Sequence, residues 1–342
     1  MRKRLFFIVK QLNKISSQEL TAVSFSAYLN EEYDVFLYSI EKIIDNKING
    51  VYEVNPRVTI RSLDLPINDN EKNNYVKNNT QLLKDTLAMS SRENDIFVMF
   101  DSLVATLVPS NTKKILIEGF VKNDNYDLFD KVIFLTREEY NQKCLELTLQ
   151  KDKFAYIIPY SRFDHDEDFK FHGNKILTVT RFEESRNHDN LFTYIKGLKE
   201  SGLKFIVSIC GEGENDLNIE KGIKEYGIEN YVEIVSNKYL QRLFKEGDLL
   251  FYLEEDEIYP QYLVESIAFS VPVLSYSENR YSKEILKDVG IYALSINDAI
   301  EKTVKLLNDK IKLSKLKFET FEHARGFNKL QAIKKLISIF EN

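Results

Sequence analysis

The chain has 342 residues, of which 43% are hydrophobic and 29% are charged, a composition typical of a soluble globular protein and not of a disordered one. This length exceeds what a single hydrophobic core usually supports, so two domains are expected. The formal net charge of -6 argues against a nucleic-acid-binding protein, because such a protein needs a basic surface to neutralise phosphates.

The N-terminus and the cysteines favour the cytoplasm. Met1–Arg4 is basic, but the apolar run that follows, Leu5–Val9, has only the length of a strand before Lys10 interrupts it, so neither a signal peptide nor a membrane span is expected. Cys144 and Cys210 fall inside a predicted helix and a predicted strand, as reduced core thiols do. The basic N-terminus leaves open a peripheral contact with the inner face of a membrane. The abundance of Asn, Lys and Ile suggests a bacterial source.

The first half of the chain has the pattern of a parallel α/β sheet. Short apolar runs alternate with helical stretches, which is the sequence signature of consecutive βα units. The predicted strands are Leu5–Val9, Val35–Ile40, Ile96–Phe100, Ile115–Ile117, Val132–Leu135 and Phe154–Ile158. A capping box, Ser16-x-x-Glu19, begins the first predicted helix, and another helix is predicted over Arg137–Leu149.

Two acids end predicted strands in this half. Asp101 follows the strand at Ile96–Phe100, and Glu118 follows the strand at Ile115–Ile117. Ligands of parallel α/β sheets usually bind at the carboxyl ends of the strands, so either acid could orient an acceptor hydroxyl. Either could equally cap a helix, and the sequence leaves both roles open.

The pattern restarts in the second half. The segment Arg162–Gly173 contains the charge run Asp164–Asp168 and predicts a solvated linker. After it, strands are predicted at Ile176–Val179, Phe205–Cys210, Val232–Val235 and Leu249–Leu253, and helices at His188–Glu200, Ile219–Tyr226, Asn297–Leu307 and in a tail to Phe340. The predicted domains are therefore residues 1–160 and 170–322, with residues 323–342 forming a C-terminal helix.

The stretch Phe251–Ser275 predicts a strand, a loop with Glu257, a short helix with Glu265, and another strand. Pro260 suits the first turn of that helix, where its missing N–H is not needed. The apolar neighbours of Glu265 would draw its carboxylate inward, where it needs hydrogen-bond donors such as ligand hydroxyls. Glu257 lies just ahead of the helix, where free N–H groups attract a phosphate. Two spaced glutamates alone would also fit an ordinary amphipathic helix.

The run Glu257–Val273 resembles the signature of GT-B glycosyltransferases of the large retaining group usually numbered four, the glycosyl transferases group 1. The residues that carry the resemblance are Glu257, Tyr259, Glu265, Ala268, Pro272 and Val273. The sequence departs from the signature at Ile258, Pro260 and Ser270, where the family usually has glycine. The resemblance implies two facing Rossmann-like βαβ domains with a cleft between them and a C-terminal helix that crosses back onto the first domain.

Two further motifs resemble the same family. Arg181 and Arg186 stand where its members carry an Arg and a Lys that hold the donor diphosphate, and Gly211-Glu-Gly213 resembles the Gly-x-Gly of its second domain. A pair of surface arginines would be the ordinary interpretation without the resemblance. As a dinucleotide fingerprint the glycine motif fails, because Asp216 occupies the place of the third small residue.

The resemblance implies a hexosyltransferase-type enzyme that moves a sugar from a nucleoside-diphosphate donor, most often UDP-linked, to a glycan, a glycoprotein or a lipid-linked cell-envelope acceptor. Glu265 would bind the ribose and Glu257 the hydroxyls of the donor sugar, and retention of configuration without a metal is expected by analogy. The catalytic residues would be Glu257, Arg181, Arg186 and Glu118. The donor site would comprise Arg181, Arg186, Gly211, Gly213, Tyr259, Pro260, Gln261 and Glu265, and the acceptor side Ser16, Ser17, Asp101 and Glu118.

No cofactor is expected beyond the nucleotide sugar. The four histidines show no metal-ligand spacing, and the Asp-x-Asp matches at Asp164 and Asp166 lie in the predicted linker. The altered signature glycines favour an alternative, a catalytically degenerate GT-B protein that binds or stabilises another glycosyltransferase. A partner glycosyltransferase and a homo-oligomer both remain open.

Overall fold

A computed structural model describes residues 2–13, 17–43, 54–65, 81, 83–119, 125–182, 188–211, 216–253, 260–276 and 280–342. The chain forms two compact units, one of Met1–Pro159 together with Lys329–Asn342, and one of Tyr160–Asn328. Within the described ranges, every helix is too short or too polar to cross a lipid bilayer.

The first unit is built on one parallel sheet. Its described strands are β1 (Arg4–Val9), β2 (Asp34–Glu41), β3 (Thr59–Leu65), β4 (Ile96–Met99), β5 (Lys113–Ile117), β6 (Lys131–Phe134) and β7 (Phe154–Tyr156). They pair in the order β3-β2-β1-β4-β5-β6-β7, and each pair is parallel. The central strands are buried apolar runs because both faces of such a sheet are covered. The predicted parallel sheet is thus confirmed.

Helices cover this sheet. They are α1 (Ser17–Leu29), α2 (residues 83–90), α3 (Ser102–Ala105), α4 (Arg137–Glu146) and, from the C-terminus of the chain, α12 (Lys329–Glu341). The last helix is fastened at its end: the hydroxyl of Tyr33 donates to Glu341 at 2.7 Å, and the amine of Lys113 donates to the carbonyls of Ile339 and Phe340. The chain therefore returns to the first unit after completing the second.

The second unit repeats the plan. Its described strands are β8 (Lys175–Val179), β9 (Ile206–Cys210), β10 (Val232–Val235), β11 (Leu249–Tyr252), β12 (Val273–Ser275) and β13 (Ile291–Tyr292). They pair in parallel in the order β10-β9-β8-β11-β12-β13. The helices are α5 (Asp189–Glu200), α6 (Asp216–Glu225), α7 (Leu240–Glu246), α8 (Gln261–Ala268), α9 (Arg280–Leu286), α10 (Ile296–Asn308) and α11 (Lys310–Ala324). Both units therefore have the strand order of a doubly wound Rossmann-like fold.

The prediction of a linker over Arg162–Gly173 is wrong, because this segment belongs to the second unit, although Asp164, His165 and Glu167 of its charge run are exposed as predicted. Asp248 is fully buried, and its carboxylate accepts the backbone N–H groups of His172 and Lys175 at 2.9 and 3.1 Å. The amine of Lys317, only 1% exposed, lies 3.0 Å from the same carboxylate. A buried carboxylate needs such donors, and the end of the supposed linker supplies one of them.

Candidate functional site

The carboxyl ends of β8 and β11 mark the centre of the candidate site. These strands are neighbours, and the strand order reverses between them, which is where open α/β sheets bind their ligands. Arg181 follows β8 by two residues. Gly211 directly follows β9, the other neighbour of β8. The topology therefore brings Arg181 to the reversal point and Gly211 to the adjacent strand end.

Other predicted site residues lie outside the described residues. These are Ser16, Arg186, Gly213, Glu257 and Tyr259. In sequence, Glu257 and Tyr259 belong to the segment that follows β11. Their predicted roles stay predictions.

The backbone around Arg181 is held by hydrogen bonds on both sides. The N–H of Thr180 donates to the carbonyl of Cys210 at 3.0 Å. Nε2 of His188, just before α5, lies 3.2 Å from the carbonyl oxygen of Arg181, so it is the ring nitrogen that carries the donated hydrogen. Burial lowers the pKa of His188 below its ordinary value. A neutral imidazole therefore anchors the segment that carries the arginine.

Gly211 is needed for close packing. A Cβ atom at this position would lie 2.2 Å from the carbonyl oxygen of Thr180 and 2.7 Å from a ring carbon of Phe182. Real Cβ atoms do not approach other atoms so closely, and the neighbours are a backbone group and a fully buried ring. Glycine here lets the end of β9 pack directly against the segment that contains Arg181.

Glu265 lies inside the second unit, on α8, as its apolar neighbours predicted. Its side chain is 0% exposed, and its two carboxylate oxygens accept from Nε of Arg162 at 2.5 Å and from a terminal nitrogen of the same guanidinium at 3.0 Å. This two-point pairing is the strongest geometry available to an arginine and a carboxylate. The donors that the sequence analysis assigned to a ligand are thus supplied by the protein in this arrangement.

Gln261 completes the environment of Glu265. Its side-chain amide donates to the carbonyl of Tyr160 at 2.9 Å and to the carboxylate of Glu265 at 3.2 Å, and the residue is buried. Pro260 stands directly before α8 as its N-cap. Gln261 therefore ties the start of the second unit to the helix that carries Glu265.

Arg162 is not among the site residues predicted from the sequence. The signal that could have found Arg162 is the predicted burial of Glu265, because burying a carboxylate without a charged partner costs much free energy. Because the neighbouring charge run predicted a solvated segment, no buried partner was predicted for Arg162. A basic residue at the start of the unit was nevertheless a candidate partner for Glu265.

Ser270 has a backbone conformation that favours glycine. Its φ is +60°, in the left-handed region that non-glycine residues seldom adopt. The hydroxyl donates to the carbonyl of Asp166 at 2.8 Å, and the residue is fully buried. That hydrogen bond offsets part of the conformational cost and holds the 162–173 segment to the end of α8.

The predicted acceptor-side residues of the first unit lie at one edge of its sheet. Asp101 follows β4, and Glu118 follows the neighbouring β5. Glu118 is 7% exposed, and its N–H donates to Ile133 of β6 at 2.8 Å. Ser17 is the first residue of α1. The sheet thus brings the two acids to its carboxyl edge, and their acceptor role stays a prediction.

The described part of the chain contains no group of three or more His, Cys, Asp or Glu side chains arranged to hold a metal ion. Two of the histidines instead bond to backbone carbonyls. His188 contacts Arg181, and Nε2 of His323 lies 2.6 Å from the carbonyl oxygen of Ile285.

Comparison with protein families gives one match that covers most of the second unit. Residues 162–322 match the family model described as glycosyl transferases group 1. The matched region contains β8 to β13 and, with them, Arg181, Gly211 and Glu265.

One curated relative is the amylovoran biosynthesis glycosyltransferase AmsD of Erwinia amylovora. It is 27% identical over 174 residues, which cover 48% of this chain and 48% of AmsD. The match therefore spans about half the length of that relative.

Solved structures resemble the chain over its whole length. A point mutant of S. aureus TarM, solved in complex with fondaparinux, alpha-GlcNAc-glycerol and UDP, has a TM-score of 0.77 at 11% identity and covers 99% of this chain and 100% of that one. WaaG, a glycosyltransferase involved in lipopolysaccharide biosynthesis, has a TM-score of 0.74 at 14% identity, and the match covers 98% of this chain and 99% of WaaG. At such identities the likeness shows the fold, and that fold is GT-B.

Proposed function

Because residues 162–322 match the glycosyl transferases group 1 family and the chain has the GT-B fold, we propose that it transfers a sugar from a UDP-linked donor to a glycan or another cell-envelope acceptor. The observation that carries the proposal is the place of Arg181 at the carboxyl end of β8, beside the reversal of strand order in the family-matched unit. The UDP bound to TarM and the biosynthetic role named for AmsD support the donor and the kind of acceptor.

In this proposal, Arg181 binds the donor diphosphate. A guanidinium stays protonated and presents several N–H donors to phosphate oxygens. Each charge-assisted hydrogen bond contributes about 1.5–3 kcal/mol. Arg186, five residues later, would supply a second cation. The two arginines would offset the charge that develops on the leaving diphosphate, which is the task that a metal ion performs in metal-dependent enzymes. We propose retention of anomeric configuration, with the leaving phosphate close to the incoming hydroxyl.

In this proposal, carboxylates bind the donor sugar, the acceptor and the ribose. Glu257 would bind the hydroxyls of the donor sugar, and Asp101 and Glu118 of the first unit would orient the acceptor. Glu265 would bind the ribose once Arg162 has moved, because Arg162 and Gln261 together donate three hydrogen bonds to its carboxylate. A carboxylate can accept about four hydrogen bonds. While Arg162 is paired with Glu265, too few acceptor positions therefore remain for the two hydroxyls of a ribose.

The proposal places the reaction in the cytoplasm of a bacterium. Neither Cys144 nor Cys210 is part of a disulfide, and cysteines that are not oxidised fit a reducing compartment. A peripheral contact with the membrane would bring the protein to a lipid-linked acceptor.

One observation favours a second candidate function, a non-catalytic GT-B subunit that binds another glycosyltransferase. The carboxylate of Glu265 is closed off by Arg162, and the signature positions 258, 260 and 270 lack glycine. A protein with these features could keep nucleotide binding and lose turnover.

Turnover by the purified chain separates the two candidates. The chain is incubated with UDP-glucose, UDP-galactose and UDP-N-acetylglucosamine, with water as the acceptor of the sugar, and the UDP released by this hydrolysis is measured. The enzyme proposal predicts UDP release from at least one donor and a loss of roughly a hundredfold in Arg181→Ala. Arg242→Ala, which removes an exposed arginine of the same unit that pairs with Glu246, is the matched control and should release UDP at the wild-type rate. Nucleotide binding without release from any donor would favour the non-catalytic subunit.

A further inference from the structure

The first unit has a groove whose lining includes none of the predicted donor-site or acceptor-side residues. Its volume is about 350 Å³, at the lower end of the range of roughly 300–1,000 Å³ that small-molecule sites occupy. The lining residues come from α4, β7 and α12 and are Arg137, Tyr140, Asn141, Phe154, Ala155, Tyr156 and Lys335. The size suits one or two sugar units.

Aromatic rings form the wall of the groove. The ring centroids of Tyr140 and Tyr156 are 6.4 Å apart, and Tyr140 packs edge-on against Phe134 of β6 at 6.3 Å. Phe154 packs on the same Phe134 at 5.5 Å and is 7% exposed. The wall is therefore fixed by packing before any ligand arrives. The apolar C–H face of a pyranose ring can lie on such rings while its hydroxyls meet polar groups at the rim.

The polar lining of the groove is cationic. The guanidinium carbon of Arg137 lies 5.3 Å from the ring centroid of Tyr156, so the cation is held against the aromatic wall. Lys335 brings a second positive charge from α12. Glu139 belongs to the first turn of α4, but it does not line the groove, and its carboxylate bonds to the hydroxyl of Thr136 at 3.2 Å. The lining residues thus carry two positive charges and no negative one.

One end of the groove lies at the carboxyl end of β7, the outermost strand of the sheet. Tyr156 is the last residue of β7, it pairs with Phe134 at the end of β6, and Arg137 begins α4 just beyond. Of these residues, Tyr156 and Arg137 line the groove, which continues along β7 to Phe154.

We propose that this groove binds an anionic saccharide, a sugar unit that bears a carboxylate or a phosphate. Arg137 and Lys335 take the acidic group, the rings of Tyr140 and Tyr156 take the face of the sugar, and the amide of Asn141 takes a hydroxyl. That the saccharide is part of the glycan being extended rests on the proposed function. The binding of an anionic sugar does not.

Ligand-observed saturation-transfer NMR on the full chain tests the proposal with four probes: glucuronic acid, glucose 6-phosphate, glucose and inorganic phosphate. Both anionic sugars should bind at least roughly tenfold more tightly than glucose and than phosphate, because each supplies a ring face and a charge together. Arg137→Met and Lys335→Met should each weaken them about tenfold, since one charge-assisted hydrogen bond is lost. Lys334→Met, the exposed neighbour of Lys335 on the same helix, is the matched control and should change nothing.

Two results would overturn the inference. If inorganic phosphate binds as tightly as glucose 6-phosphate, the groove recognises only the negative charge and not the sugar ring. Equal binding by the two groove variants and by wild type would place the sugars elsewhere on the chain. UDP binding, measured on the same samples, should be unaffected by either groove variant, so a failure of the groove and a failure of the proposed donor site give different results.

Discussion

Arg162 and Glu265 form a two-point ion pair between residues 103 positions apart in the sequence, with N–O distances of 2.5 and 3.0 Å. The carboxylate is 0% exposed, whereas the arginine side chain is 20% exposed. The two partners therefore have unequal access to water. Water can solvate the guanidinium if the pair breaks, but it cannot reach the carboxylate without opening the unit.

This asymmetry predicts unequal effects of the two single substitutions on stability. Arg162→Met leaves a buried carboxylate without its cation and should lower the free energy of unfolding by about 3–5 kcal/mol. Glu265→Gln removes a charge but keeps an acceptor for the partly exposed arginine, so it should cost only about 1–2 kcal/mol. Urea denaturation followed by circular dichroism measures both.

The exposed pair of Arg325 and Glu322, whose side chains are 63% and 44% accessible, is the control. Arg325→Met should cost less than about 1 kcal/mol. A cost for Arg162→Met as small as this control would show that the buried pair does not stabilise the unit.

Ser270 allows a second test, which separates backbone strain from hydrogen bonding. Ser270→Ala removes the 2.8 Å hydrogen bond to Asp166 and keeps the positive φ, so it should destabilise the protein by about 1–2 kcal/mol. Ser270→Gly loses the same bond but relieves a strain of about 1–2 kcal/mol, so it should be clearly more stable than Ser270→Ala. The melting temperatures of the three proteins give the order. A glycine variant less stable than the alanine variant would contradict a strained backbone at this position.

The pH dependence of stability provides a third test, through His188. Burial holds the folded-state pKa of His188 below its ordinary value of 6.5. As the pH falls below about 6.5, the unfolded chain takes up a proton that the folded chain resists, so this histidine reduces stability on the acidic side and has no such effect above it. The unfolding free energy, measured between pH 5 and 8, should fall toward acid.

His188→Gln should flatten this part of the profile, because glutamine does not titrate and its amide can still donate to the carbonyl of Arg181. If His188→Gln and wild type have the same slope between pH 5 and 7, the titration of this histidine does not contribute to folding.

Much of the fold could be predicted from the sequence because the strands are local patterns. The strand at Leu5–Val9 is an unbroken apolar run that is buried throughout, and Ile176–Val179 and Leu249–Leu253 likewise mark strands of the second sheet. Apolar runs of this kind belong to parallel sheets covered on both faces. Alternation with helices then limits the topology to a few arrangements.

The candidate site could be predicted only in part, because side-chain pairing depends on contacts distant in sequence. Burial of Glu265 followed from its apolar neighbours, but its partner Arg162 belongs to a segment whose local charge density predicted solvation. The left-handed backbone at Ser270 was indicated only by the glycine that the family usually has at this position, because serine itself does not favour a positive φ. These features come from the packing of the 162–173 segment on α8 and α11, which no local pattern encodes.

Binding of UDP to the purified chain, measured by isothermal titration calorimetry, tests the central claim most directly. The account predicts one site per chain, a dissociation constant at least about tenfold weaker in Arg181→Ala, and unchanged binding in the Arg242→Ala control. UDP that binds wild type and Arg181→Ala equally well, or that binds neither, would contradict a diphosphate site at the carboxyl end of β8.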